Sequence, residues 1–126
     1  MEKQRIRIQK YDWLVDIYYL PSQSDMAYIM NEMFMHGASY ESLDRVSCNV
    51  CKENSGCCYT NPQSRYTSII VGRATSISQF FNTFVHELNH LCGAIEEEYS
   101  IDPHSEEASY LIGDVAMQIM HNAKFR

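Results

Sequence analysis

The chain is short of positive charge: 10 lysines and arginines stand against 16 aspartates and glutamates, for a formal net charge of -6. Phosphate contacts need a basic surface and no basic stripe runs along this sequence, which argues against a nucleic-acid partner. It also lacks any charge-free apolar run long enough to cross a bilayer. Its first residues, Met1-Glu2-Lys3-Gln4-Arg5, lead into an alternating segment rather than the apolar core of a signal peptide. A soluble, cytoplasmic chain with no membrane partner is the expectation. The five cysteines cannot all pair, which favours a reducing compartment over a disulfide framework. No internal repeat, low-complexity tract or linker divides the 126 residues, so one domain over 1–126 with one core is expected. The oligomeric state stays open.

Chemistry-bearing residues are instead concentrated in Phe84-Val85-His86-Glu87-Leu88-Asn89-His90, which carries the pattern HExxH. Residues four apart on an α-helix lie one turn above each other, so His86 and His90 can offer two imidazole nitrogens to one metal ion. Glu87 points beside that face and is not expected to ligate. With zinc as cofactor, lowering the pKa of a bound water to about 7, Glu87 is the candidate catalytic general base of a hydrolase. The flanking residues supply the helix. Ser76 and Gln79 form a capping box, Phe80, Phe81, Phe84, Val85, Leu88 and Leu91 recur at helical spacing, and Gly93 offers a left-handed stop. A helix apolar nearly all round should be buried, where two histidines and a carboxylate are costly without partners. A metal ion provides them.

Residues 5–20 read as a strand ended by Pro21, from the alternation Arg5-Ile6-Arg7-Ile8 and the β-branched and aromatic run from Trp13 to Leu20. Ser24 caps a helix with Met26, Ile29, Met30, Met33 and Phe34 on one face, read as core and closed by Gly37. Residues 46–51 read as a strand, 53–56 as a turn and the segment through Tyr59 as the returning strand of a hairpin. The run from Arg65 to Arg73 is a further strand, either interior or an edge able to pair with an extended peptide. Glu96-Glu97-Glu98 reads as solvated surface, and Asp102-Pro103 as the start of a last helix whose apolar positions run from Ala108 to Met120. The sum is an α+β fold: a small, mostly antiparallel sheet on the motif-bearing helix, plus two further helices. Cys48, Cys51, Cys57 and Cys58 look like a zinc knuckle at first sight. Neighbours on a strand point to opposite faces, however, so Cys57 and Cys58 are poorly placed to share an ion, and Cys92 reads as helix packing.

A catalytic zinc normally has three protein ligands and one open position. Glu107, in the first turn of the last helix and flanking its apolar stripe, is the leading candidate for the third. Asp114, on the same flank, could support a ligand from behind. Glu106 points farther out and suits the helix N-terminus electrostatically. Glu96 is the other candidate, because His86 to Glu96 reads HExxHxxGxxE and resembles the metzincin pattern with Glu in place of the usual His.

Together with Ser105-Glu106-Glu107-Ala108-Ser109-Tyr110, the segment from Phe84 to His90 resembles the gluzincin branch of the HExxH zinc peptidases, the zincins. Over roughly the final third of the chain it is also similar to compact ImmA/IrrE-type metallopeptidases of bacteria and their mobile elements. The resemblance implies a minimal zincin-like domain, with zinc on His86, His90 and Glu107 and a peptide or protein substrate cleaved with Glu87 as base. Tyr110 and His104 are oxyanion candidates by proximity in sequence alone. The alternative is a catalytically silent zinc-binding protein that regulates or binds a partner, its ion fixing two helices together.

Overall fold

The computed structural model describes residues 1–49 and 52–122. Strands β1 (Glu2–Ile8) and β2 (Trp13–Tyr19) pair antiparallel across a 3-10 turn at Gln9–Tyr11. The expected single strand over 5–20 is therefore a hairpin. Gln9 and Lys10 interrupt the apolar alternation, and Asp12 takes a left-handed φ of 49°, which a short polar side chain tolerates.

A capping box between Ser22 and Asp25, two residues before the expected cap Ser24, opens a 3-10 turn (Gln23–Asp25) that leads directly into helix α1 (Met26–Met35). It closes at Gly37, whose φ of 92° suits glycine, while the Ala38 N–H donates back to the Met33 carbonyl. Met26, Ile29 and Met33 are buried, but Phe34 is exposed.

Helix α2 (Tyr40–Asn49) stands where a strand over 46–51 was expected, and positions 50 and 51 lie outside the described residues. The Ser39 hydroxyl accepts the Ser42 N–H as a cap, and Leu43 and Val46, three apart, are both buried. Three-residue spacing outweighs the short β-like text of Val-Ser-Cys-Asn. The turn and returning strand are present, but β3 (Gly56–Asn61) finds its antiparallel partner in the following strand, β4 (Tyr66–Val71).

The sheet runs β1-β2-β4-β3, with β2 and β4 parallel and the other pairs antiparallel. Six consecutive buried residues make β4 an interior strand, so the edge facing outward beside it is β3. Helix α3 (Ile77–Glu98) carries the motif and α4 (Glu106–Asn122) follows it. Gly93 does not stop α3, because Leu91, Cys92 and Ile95 carry the buried face past it. The stop comes at Ser100, φ 54°, where the Ile101 N–H closes on the Glu96 carbonyl and Ile101 itself is buried. The Ser105 hydroxyl accepts the Ala108 N–H, placing the start of α4 three residues beyond Asp102-Pro103.

One core lies between the sheet and α3 with α4, built on Trp13, Val15, Ile17, Ile69, Leu88, Leu91, Ile95, Leu111 and Ile119. The other lies on the opposite sheet face under α1 and α2, with Tyr18, Ile29, Met33, Val46 and Tyr66. The α+β class holds, with four α-helices among the described residues where three were expected. No helix among the described residues is long and apolar enough to cross a membrane.

Candidate metal centre

The buried face of α3 fixes its rotation on the sheet, and that rotation decides where the motif points. Phe84, Leu88 and Leu91 face the core, which leaves the His86 side chain 67% exposed and turns Glu87 inward at 6%. The Nε2 atoms of His86 and His90 lie 3.2 Å apart. Two zinc–nitrogen bonds of about 2.05 Å meeting near the tetrahedral angle hold their nitrogens about 3.3 Å apart. The pair thus has a separation that one zinc ion could bridge, but among the described residues no third His, Cys or carboxylate atom lies within 4.8 Å of both nitrogens, so it supplies two of the three protein ligands a catalytic zinc normally takes. The same separation also suits an imidazole–imidazole hydrogen bond.

Glu87 sits against this pair, with Oε1 3.7 Å from His86 Nε2 and Oε2 buried without a hydrogen-bond partner. Burial pushes its carboxyl above the ordinary glutamate value, an effect the two neighbouring histidines partly offset. A buried carboxylate oxygen with no donor is expensive, and a water or ion beside the histidines would satisfy it.

Gly56, at the start of β3, makes that placement possible. A Cβ there would meet Thr83 Cγ2 at 2.7 Å, the Ile70 carbonyl oxygen at 2.8 Å and Glu87 Cγ at 3.1 Å. The missing side chain lets α3 close onto the sheet with Glu87 at the contact. A cleft of about 700 Å³ opens from here, with His86, Glu87 and His90 on one wall, Cys58 and Thr60 of β3 on the other, and Arg45 of α2 at its side. A smaller cavity of about 200 Å³, lined by Asn54 and Asn82, also reaches His86 and Glu87. The groove therefore passes the motif on both sides.

The structure brings together His86, Glu87 and His90 and leaves Glu107 elsewhere. The first turn of α4 docks on the β1–β2 turn, where the Tyr11 hydroxyl donates to Glu107 Oε1 at 3.1 Å and Lys10 Nζ lies 3.7 Å away. Neither Glu107 nor the exposed Glu106, Asp114, His104 and Tyr110 lines the cleft. The metzincin-like return of Glu96 has no bend to make it, since α3 continues through Gly93. Cys57 joins the core under α1 and α2, whereas Cys58 packs against the other one. Burial, with Glu87 nearby, pushes the Cys58 thiol up to about 12, so it is a poor ligand as it stands. The Cys48 side chain and Cys51 fall outside the described residues.

Sequence reasoning gave no site role to the cleft residues Arg45, Gly56 and Glu97, reading Gly56 as part of a turn and Glu97 as solvated surface. Glu97 was findable, because it lies seven residues beyond His90 on the same helical face once the helix is carried past Gly93.

A second set of side chains able to hold a cation is formed by Asp16, Glu32 and His36, each with one ligand atom within 4.8 Å of the others. Glu32 and His36 stand four apart along α1 and its C-terminal cap, but no spacing announces Asp16 of β2 beside them. The fully buried Asp16 already accepts Arg5 Nε at 2.7 Å, Arg5 Nη2 at 2.9 Å and the Tyr66 hydroxyl at 2.7 Å. Burial alone would raise its carboxyl, but these bonds and the charge of Lys3 hold it below the ordinary aspartate value. A cation there has to compete with a guanidinium already seated. Compared with known proteins, the chain matches no family model, no curated protein and no solved structure.

Proposed function

We propose that the chain is a zinc-dependent peptidase whose metal is held by His86 and His90, with Glu87 as general base. The observation that carries this reading is the histidine pair at zinc-bridging separation beside a buried carboxylate oxygen that lacks a donor. When bound, zinc supplies the Lewis acid that acidifies a water and polarises the scissile carbonyl. Glu87 takes the proton from the attacking water as its oxygen joins the carbonyl carbon. It then hands that proton to the departing amine as the C–N bond breaks, leaving one new carboxylate and one new amine. Desolvation of Glu87 suits this work, since a base held above its ordinary pKa accepts a proton more readily near neutrality.

The edge strand β3 supports a peptide as substrate. Its outer backbone edge borders the cleft beside α3, where an extended chain can pair with it and be drawn past Glu87.

The test is cleavage of a broad peptide library by zinc-loaded protein, by chelated protein and by Glu87→Gln. Turnover confined to the zinc-loaded wild type supports the reading. Zinc uptake on the histidine pair without any turnover favours the silent, partner-binding alternative, whose ion would then be held on α3 alone, because Glu107 lies outside the cleft.

A further inference from the structure

The cleft does not end at the histidines. It follows α3 toward its C-terminus along His90, Gly93, Ala94 and Glu97, which share one helical face at spacings of three and four. Gly93 is out of place on internal grounds. Glycine inside a helix is destabilising relative to alanine, its φ here is not left-handed, and a Cβ at this position would meet nothing within 4 Å. The fold's own packing does not require it. What the missing side chain does is keep the floor low between His90 and Glu97.

Glu97 stands at the far end with its carboxylate exposed, and among the described residues no cation pairs with it. Glu96 and Glu98 on either side deepen the negative potential there. Arg45 borders the cleft on the β3 side, where its charge lowers the Cys57 and Cys58 thiols against the stronger effect of burial. Glu97 is therefore the anionic end of the α3 wall, beyond the histidines that would hold the metal and across the cleft from the cationic Arg45.

We infer that Glu97 is a specificity-determining residue that selects peptides carrying a lysine or arginine side chain near the scissile bond. The inference rests on the peptidase reading of His86, Glu87 and His90. Seven helical residues separate His90 from Glu97, about 10 Å at 1.5 Å per residue, and an extended peptide advances about 3.3 Å per residue. The selected side chain belongs about three residues from the bond that breaks. Gly93 gives it a path and Glu97 gives it a counter-ion.

The experiment uses peptides that carry lysine, glutamine or glutamate in turn at each of four positions on either side of a common core. Zinc-loaded wild type, Glu97→Gln and Glu97→Lys are compared by kcat/KM. The expected result is a preference of about tenfold for lysine over glutamine at one position, the scale of one charge-assisted hydrogen bond. That preference should be lost in Glu97→Gln and turned toward glutamate in Glu97→Lys. Binding of the same fluorescent peptides to metal-free wild type and Glu97→Gln, by anisotropy, gives a second readout without turnover. Equal preferences in wild type and both variants would overturn the inference while leaving the peptidase reading intact. If the zinc-loaded wild type cleaves nothing, the peptidase reading fails and anisotropy alone decides. Tighter binding of lysine peptides by wild type than by Glu97→Gln supports the subsite, and equal or absent binding overturns it.

Discussion

The Nε2 atoms of His86 and His90 face each other across 3.2 Å on the exposed side of α3, one helical turn apart. That separation lets one ion replace the hydrogen of an imidazole pair without moving either ring far. Changing either histidine to alanine is expected to abolish zinc uptake, read as metal per protein after dialysis. Unfolding stability should change little, because both side chains project away from the core. Full zinc content in both variants would place the ion elsewhere.

Glu87→Gln keeps the shape and burial of the side chain but removes the base. The expected result is loss of turnover by at least about a hundredfold, the usual contribution of a positioned acid–base group, with zinc content and circular dichroism unchanged. Turnover surviving in this variant would show that another group takes the proton.

Gly56→Ala tests how the carboxylate is held. The added methyl would meet the Ile70 carbonyl oxygen at 2.8 Å, a backbone atom that cannot turn aside, and Glu87 Cγ at 3.1 Å. We expect a loss of about 1–3 kcal/mol in denaturant unfolding, typical of an overpacked contact, and a drop in turnover with zinc retained. An unchanged unfolding midpoint would mean that α3 does not close on the sheet as described.

Glu107→Gln separates the structure from the resemblance. Since Glu107 bonds Tyr11 and not the histidine pair, zinc content should persist, with a stability cost below about 1 kcal/mol for a half-exposed contact. Loss of zinc would mean that the first turn of α4 swings to the ion when it binds.

Arg5→Met removes the guanidinium from the buried Asp16 carboxylate and should cost about 3 kcal/mol, the low end for a broken buried pair because Lys3 Nζ stands 4.0 Å away. The folded Asp16 value lies below its unfolded one, so the stabilisation is fully present above about pH 4 and is lost as pH falls through the folded value. The difference between wild type and variant should thus be constant from about pH 5 to 7 and shrink in acid. A difference that grows in acid would contradict this origin.

The motif helix was legible because independent signals agreed there: a Ser76 cap, a continuous apolar face, and histidines at a four-residue interval. The class of fold followed from the same kind of agreement. Where one local signal stood alone, tertiary packing overrode it. Gly93 reads as a stop, yet Ile95 needed burial beyond it; Val46 reads as a strand residue, yet with Leu43 it forms a helical stripe under Ser39. Glu107 sits in the right turn of the right helix for a ligand, and only the docking of that turn on Tyr11 shows where its carboxylate goes. Glu32 and His36 share a four-residue interval, but Asp16 meets them through strand-to-helix packing that no spacing encodes.

The most direct test is X-ray absorption at the zinc edge on protein loaded with one equivalent of metal. Two imidazole shells at about 2.0–2.1 Å with only oxygen or nitrogen in the remaining positions, lost in His86→Ala, is the predicted result. Sulfur at about 2.3 Å, or a spectrum unchanged by His86→Ala, would move the metal to the cysteines or to Asp16, Glu32 and His36, and the account would fail with it.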